Sequence, residues 1–114
     1  VLIENPEIHL HPAAASRLGR MLAAACAAGL QIIVETHSEH VLNGIRLSVK
    51  DGHIRSDDVR LLYVSAPTQE GILALEMGPR GDVRRWPKGF FDQAIADLEA
   101  LHADDSATGA TRKA

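Results

Sequence analysis

The sequence of 114 residues lacks the features that stabilise secreted domains or hold a chain in a membrane. Its single cysteine, Cys26, cannot form an internal disulfide, which suits a reducing compartment. No apolar run approaches the roughly 18 residues of a membrane-spanning helix. The formal net charge of −3 provides no basic surface, so nucleic-acid binding is compatible with the chain but not indicated by it. We therefore expect a cytoplasmic protein without a membrane partner.

The phosphate-binding loop of the common nucleotide-binding proteins is missing as well. The pattern Gly-x-x-x-x-Gly-Lys-Ser/Thr, whose backbone amides cradle phosphates, does not occur. The chain begins at Val1 rather than at a methionine, and its first residues already have the composition of a core strand. We expect such a chain to be the carboxy-terminal piece of a longer protein, or a truncated copy of one.

Short apolar runs alternate with helical patterns in the first half of the chain. Residues 1–3 and 31–34 predict two buried strands. A helix is predicted between them, beginning at Pro12 and ending at Gly29. A second helix is predicted to begin at Ser38, which can cap it. Strands that alternate with helices predict a parallel sheet with crossover helices, so the fold class is α/β.

The second half predicts a smaller unit. Strands are predicted over residues 58–65 and 72–77. Turn residues at 79–82 predict a small hairpin between residues 72–77 and 82–85.

The chain is predicted to end in an amphipathic helix over residues 90–102. Its apolar side would carry Phe91, Ile95, Leu98 and Leu101. We divide the chain into a core segment (1–57), a small α/β extension (58–102) and a disordered tail (103–114).

Polar side chains follow the first predicted strand directly. Glu4 ends the strand, and Asn5, Pro6 and Glu7 come next. Ligands bind at the carboxyl ends of strands in open α/β sheets, and one or two carboxylates suffice to hold a hydrated Mg²⁺. Glu4 is therefore a candidate magnesium ligand, and a loop or helix-capping acid is the alternative.

The second strand leads into Glu35-Thr36-His37-Ser38. One helix separates the two strands, so Glu4 and His37 are predicted at the same edge of the sheet. A single histidine after a strand is more often structural than functional, and on this residue alone both interpretations stay open.

Residues 1–12 resemble the Walker B strand of ABC-type ATPases, in the branch of chromosome-maintenance, recombination-repair and overcoming-lysogenization-defect ATPases. Those proteins have four apolar residues, two acids, a proline and a loop that often ends in Leu-His-Pro. The matching loop residues here are Pro6, Glu7, Leu10, His11 and Pro12. Residues 32–38 resemble the strand that ends in the switch histidine of the same families.

The similarity continues beyond these two motifs and covers residues 1–102. Residues 39–46, Trp86-Pro87 and residues 89–93 resemble ATPases that end in a small, poorly characterised C-terminal domain. Simple core packing is the alternative explanation for the aromatic residues.

The resemblance implies a partial P-loop ATPase core that binds ATP and Mg²⁺ and hydrolyses ATP in a head-to-head homodimer. Glu4 would hold Mg²⁺, and His37 would contact the γ-phosphate and its attacking water. The segment from Ile8 to His11 would face the partner subunit. The phosphate loop and the Leu-Ser-x-Gly signature precede Walker B in these families and are absent here. The chain alone is therefore expected to be inactive.

One position departs from the family pattern. The usual pair is Asp-Glu, in which the first acid holds magnesium and the second polarises water, whereas this chain has Glu4-Asn5. An amide is not a base at neutral pH. Asn5 could instead orient the water, with Glu7 or Glu35 as the base. The expectation is that hydrolysis is slow or that the base lies elsewhere.

Two other functions stay open. The chain could be a non-catalytic interaction module in which residues 59–102 dock a partner. It could also be a small metallohydrolase that uses His9, His11 and His37. Glu35 and His40 would then complete the ligand set, whereas surface or dimer contacts are the plainer roles for His9 and His11.

Overall fold

The computed structural model of the chain describes residues 1–64, 71–84, 90–91 and 95–103. The elements are given in chain order: β1 (Leu2–Glu4), α1 (Pro12–Ala27), β2 (Ile33–Glu35), α2 (Glu39–Lys50), a short 3₁₀ helix (Ser56–Asp58), β3 (Leu61–Val64), β4 (Ile72–Met77) and β5 (Val83–Arg84). Residues 95–103 are helical. Within the described part of the chain, no helix is long and apolar enough to cross a membrane.

The first half is a parallel β–α–β unit followed by a second helix. β1 and β2 pair in parallel, with Leu2 opposite Ile33 and Glu4 opposite Glu35, and α1 is the crossover connection. Ile3 and Val34 point from the sheet toward a core that contains Val41 of α2. The predicted parallel pair and its helical crossover are confirmed, and a P-loop core is not, because the described parallel sheet has two strands.

Both helices end where local chemistry predicts. After α1, Gly29 adopts a φ of 112°, and the N–H groups of Gly29 and Leu30 donate to the carbonyls of Cys26 and Ala25. Gly52 plays the same part after α2, with a φ of 80°. This paired pattern is the Schellman motif, which a left-handed glycine makes inexpensive.

The two helices cross at glycines. A Cβ atom added at Gly19 would lie 2.1 Å from the carbonyl oxygen of Val41, and one added at Gly44 would lie 2.0 Å from that of Ser16. Neither distance leaves room for a side chain, so the backbones themselves are in contact. This close crossing fixes α2 against α1.

The second half differs from the prediction in two respects. β3, β4 and β5 form one antiparallel sheet in that order, rather than a hairpin alone. β3 begins at Leu61 instead of residue 58, because Ser56–Asp58 form a 3₁₀ turn. The hairpin of β4 and β5 is confirmed, with Met77 opposite Val83.

The terminal helix also differs from its prediction. Phe91 has a φ of 53°, so it precedes the helix instead of belonging to it. The side chains of Ile95, Leu98 and Leu101 are exposed. Several predicted features lie outside the described residues: Ser65, Arg85, Trp86-Pro87, residues 89 and 92–93, and the tail at 104–114.

Helix α2 connects the two halves of the chain because one of its faces packs against the parallel sheet and the other against the antiparallel sheet. Val41 packs toward the parallel sheet, and Leu42 packs with Leu75 and Phe90 on the antiparallel side. The Nε–H of Arg46 donates to the carbonyl of Gly81 in the β4–β5 turn at 2.7 Å. Each sheet therefore shares its core with the same helix.

Candidate functional site

The carboxyl ends of β1 and β2 lie side by side and form the edge of the sheet that carries the candidate site residues. Glu4 and Glu35 are register partners, and the N–H of Asn5 donates to the carbonyl of Glu35 at 2.7 Å. Paired strands are about 4.8 Å apart, and paired residues project to the same face. The residues that follow each strand, with His37 among them, therefore start from one edge, as the sequence predicts.

The loop after β1 is compact. Asn5 has a φ of 44° and His9 a φ of 69°, a left-handed conformation that asparagine and histidine tolerate better than most residues. The N–H of Ile8 donates to the carbonyl of Asn5, and that of Leu10 donates to the carbonyl of Glu7. These two turns bring the chain from β1 into α1 with Ile8 and His9 exposed.

A hydrogen-bonded chain connects the two strand ends. The hydroxyl of Thr36 donates to Oε1 of Glu7 at 2.5 Å and accepts from the N–H of Ser38 at 3.0 Å. Glu7 and Thr36 are both half-buried. The carboxylate of Glu7 is thereby held against the loop that carries His37.

The hydroxyl of Ser38 caps α2 in turn. It accepts from the N–H groups of His40 and Val41 at 3.2 and 3.3 Å, which satisfies two of the unpaired amides at the helix start. His37 lies between the bond of Thr36 and the cap of Ser38, and its own side chain is exposed. The backbone on both sides of His37 is therefore fixed while its imidazole faces solvent.

The carboxylates at this edge suit magnesium better than a transition metal. Glu4 and Glu35 are exposed and adjacent, and Mg²⁺ takes oxygen ligands from one or two carboxylates and keeps its waters. All of the histidines that the metallohydrolase hypothesis requires are described, yet no group of three or more His, Cys, Asp or Glu in the described residues could hold a metal. The structure gives that hypothesis no ligand set.

Two of these relationships are not visible in the sequence. Thr36 connects to Glu7 across 29 positions, and the motif Thr-His-Ser is the only local hint of it. The sequence makes Glu35 a candidate base, but only the strand register shows that it lies beside Glu4.

Comparison with known families divides the chain into two parts. Residues 1–43 match the family described as "AAA domain, putative AbiEii toxin, Type IV TA system". Residues 54–101 match the family described as "Protein of unknown function (DUF3696)". Neither a curated protein nor a solved structure matches the chain. Together the two family matches support an AAA-ATPase-like fragment, and the first of them contains both strand ends.

Proposed function

We propose that this chain supplies the Walker B and switch-histidine side of an ABC-type ATPase site, whose phosphate loop comes from residues outside it. The observation that carries the proposal is the shared edge: parallel register places Glu4 beside Glu35 and the loop of His37 next to both. That edge belongs to the segment that matches the AAA family. ATP and Mg²⁺ are the implied ligands.

Glu4 is proposed to hold the magnesium ion, with Glu35 as the neighbouring carboxylate. Like charges on opposed residues of a sheet repel one another, so a divalent cation near Glu4 and Glu35 would relieve that repulsion. Bound Mg²⁺ would neutralise charge on the phosphates, which is its usual contribution to phosphoryl transfer. The residues themselves provide position and electrostatics.

His37 is proposed to contact the γ-phosphate and the attacking water. Its imidazole is exposed, and its backbone is held from both sides by the hydroxyls of Thr36 and Ser38. Side chains held on a fixed backbone need little reorganisation when the substrate binds, and that is the source of catalytic electrostatic stabilisation.

Asn5 is proposed to orient the water rather than to deprotonate it, because its amide is not a base. Glu7, which Thr36 holds at this edge, and Glu35 are the two candidate bases. The segment from Ile8 to His11 is exposed and is proposed to face the partner in a homodimer of the intact protein. We propose slow hydrolysis and a cytoplasmic location, as expected from the sequence.

The decisive experiment uses a longer chain that includes the coding region upstream of Val1. We expect that region to encode a phosphate loop and the longer chain to hydrolyse ATP. His37→Ala should lower kcat by about 100-fold with little change in KM, the size of effect seen when one transition-state contact is removed. Glu4→Gln should raise the Mg²⁺ concentration needed for half-maximal activity.

A matched control is His53→Ala, since His53 is exposed in the loop after α2 and away from the strand ends. Equal rates for the His37→Ala and unaltered chains would overturn the role of His37. The absence of an upstream phosphate loop would favour the interaction-module alternative, for which the exposed apolar side chains among the described residues of 59–102 are the specific support. Stoichiometric zinc in the purified protein would contradict the ATPase proposal.

A further inference from the structure

The outer face of the antiparallel sheet is apolar. Strand alternation turns Leu61 and Tyr63 toward the core, whereas Leu62, Val64 and Ile72 point away from it with exposed fractions of 52%, 70% and 61%. Leu62 pairs with Ala74, and Val64 pairs with Ile72, so these four residues are contiguous and are named the outer face. A solvated face of an antiparallel sheet is normally polar. An apolar patch of this kind marks an interaction site.

The terminal helix carries a matching apolar surface. Ile95, Leu98 and Leu101 recur every three residues along one side, with exposed fractions of 59%, 55% and 62%, and are named the helical stripe. All nine described residues of this helix, 95–103, are exposed, and most of the stability of a helix in a protein comes from packing of its apolar side. The helix therefore needs a surface on which to pack.

We propose that the helical stripe of one copy of this chain packs on the outer face of a second copy, and that the contact is reciprocal. A reciprocal contact is self-complementary and closes a twofold dimer. Each copy would bury six large side chains that are more than half exposed in the single chain, three from the outer face and three from the helical stripe, so the dimer would bury twelve. Their combined surface is on the order of the 1,000 Å² that a specific interface needs.

Charge supports the same pairing. The helix carries Asp97 and Glu99 and no lysine or arginine over residues 95–103. Arg60 is exposed immediately before β3, where alternation places it on the same side as Leu62. Arg60 is the basic group at that end of the outer face, and an acidic helix beside it would steer association and fix orientation.

The length of the chain argues against the same contact within one copy. Phe91 packs into the cluster on the inner side of the sheet, and the helix is described from Ile95. Four residues span at most about 14 Å in any conformation. A packed layer lies about 10 Å from its sheet, and the path would also have to pass around an edge strand. A second copy has no such tether.

The primary test is sedimentation equilibrium of the 114-residue chain without nucleotide. We expect a dimer, and we expect Leu98→Glu and Leu62→Glu each to raise its Kd by at least 100-fold. Met21→Glu is the matched control, because Met21 is 63% exposed on α1. Unchanged far-ultraviolet circular dichroism would show that each variant folds.

Mixing the two variants sharpens the test. Each variant alone has two damaged contacts, whereas the Leu98→Glu and Leu62→Glu mixture retains one intact contact of stripe on face. We expect the mixture to associate at least 10-fold more tightly than either variant alone.

Three outcomes would overturn the proposal. The first is a monomer at all concentrations. The second is loss of the dimer with Leu98→Glu but not with Leu62→Glu, which would mean that stripe packs on stripe. The third is a dimer that neither substitution weakens, which would place the contact elsewhere, including the segment from Ile8 to His11.

Discussion

The two sheets of this chain each leave an apolar face uncovered, but the two faces have different consequences. On the parallel sheet, Leu2 and Ile33 are 68% and 63% exposed, although parallel sheets are normally covered on both faces and two strands are marginal alone. The antiparallel sheet is of a type that tolerates solvent on one face, yet Val64 and Ile72 are exposed there. The same exposure therefore has a different weight on the two sheets, because an antiparallel sheet tolerates solvent on one face and a parallel sheet normally does not.

The helix crossing supports both sheets, so its disruption should give the largest effect. In Gly44→Ala, the new Cβ would meet the carbonyl oxygen of Ser16 at 2.0 Å, and neither backbone can yield easily. We expect the free energy of unfolding to fall by more than about 3 kcal/mol, which outweighs the gain of about 1 kcal/mol in helix propensity. Urea unfolding measures the change.

Gly52→Ala is the control for this prediction, because Gly52 has a φ of 80° and no atom near its missing Cβ. Left-handed strain alone should cost about 1 kcal/mol there. Equal losses in the two variants would show that the crossing is looser than the structure indicates.

Two adjacent residues of α2 allow the sheets to be perturbed separately. Leu42→Ala should cost about 2.5 kcal/mol by leaving a cavity against Leu75 and Phe90. Val41→Ala should cost about 1.5 kcal/mol, because a smaller side chain is lost from the core of the parallel sheet.

Amide hydrogen exchange distinguishes the effects of Leu42→Ala and Val41→Ala on the two sheets. Leu42→Ala should speed exchange more in β3 and β4, and Val41→Ala more in β1 and β2. Identical exchange patterns would mean that the two halves unfold as one cooperative unit, and the comparison between the sheets would then describe packing only.

The hydrogen bond between Thr36 and Glu7 connects the carboxyl ends of β1 and β2, so its loss should affect the parallel sheet alone. Thr36→Val keeps the shape of the side chain but removes the hydroxyl that bonds Glu7 and Ser38. We expect a loss of about 1 kcal/mol in stability, measured by urea unfolding. Thr36→Ser should recover most of it, and no loss in the valine variant would contradict the connection between the two strand ends.

The smallest effect is expected at the edge of the antiparallel sheet. Arg84 lies 3.7 Å from Glu76 and 3.9 Å from Asp82, and its side chain is 60% exposed. Arg84→Ala should change stability by less than about 0.5 kcal/mol. Thermal unfolding at low and high salt tests this, because the difference between variants should vanish at high salt. A larger, salt-independent loss would show that Arg84 contributes packing.

Local chemistry explains what the sequence could predict. Pro12, Gly29 and Ser38 set helix ends through contacts within a few residues, and β4 runs over Ile72–Met77 as its pattern predicts. The shared edge of β1 and β2 followed from the rule for crossover connections.

The features that the sequence could not predict depend on contacts between residues that are far apart in the chain. The pairing of β3 with β4, the glycine crossing and the bond between Thr36 and Glu7 each depend on partners that no local pattern specifies. The spacing of Phe91 predicts a helical residue, but its backbone is left-handed and its ring packs against the core of the antiparallel sheet. The roles of Glu4, Asn5, Glu7 and His37 remain predictions.

Helix α2 has a practical consequence for dividing this chain into fragments. The first family match ends at residue 43, inside the helix, and the second begins at residue 54, just beyond it. A cut at residue 54 would remove α2 from the second product and uncover Leu75, and would leave Leu42 without its partners in the first; a cut at residue 43 would split the helix. Expression of either half should therefore carry the whole of residues 38–53.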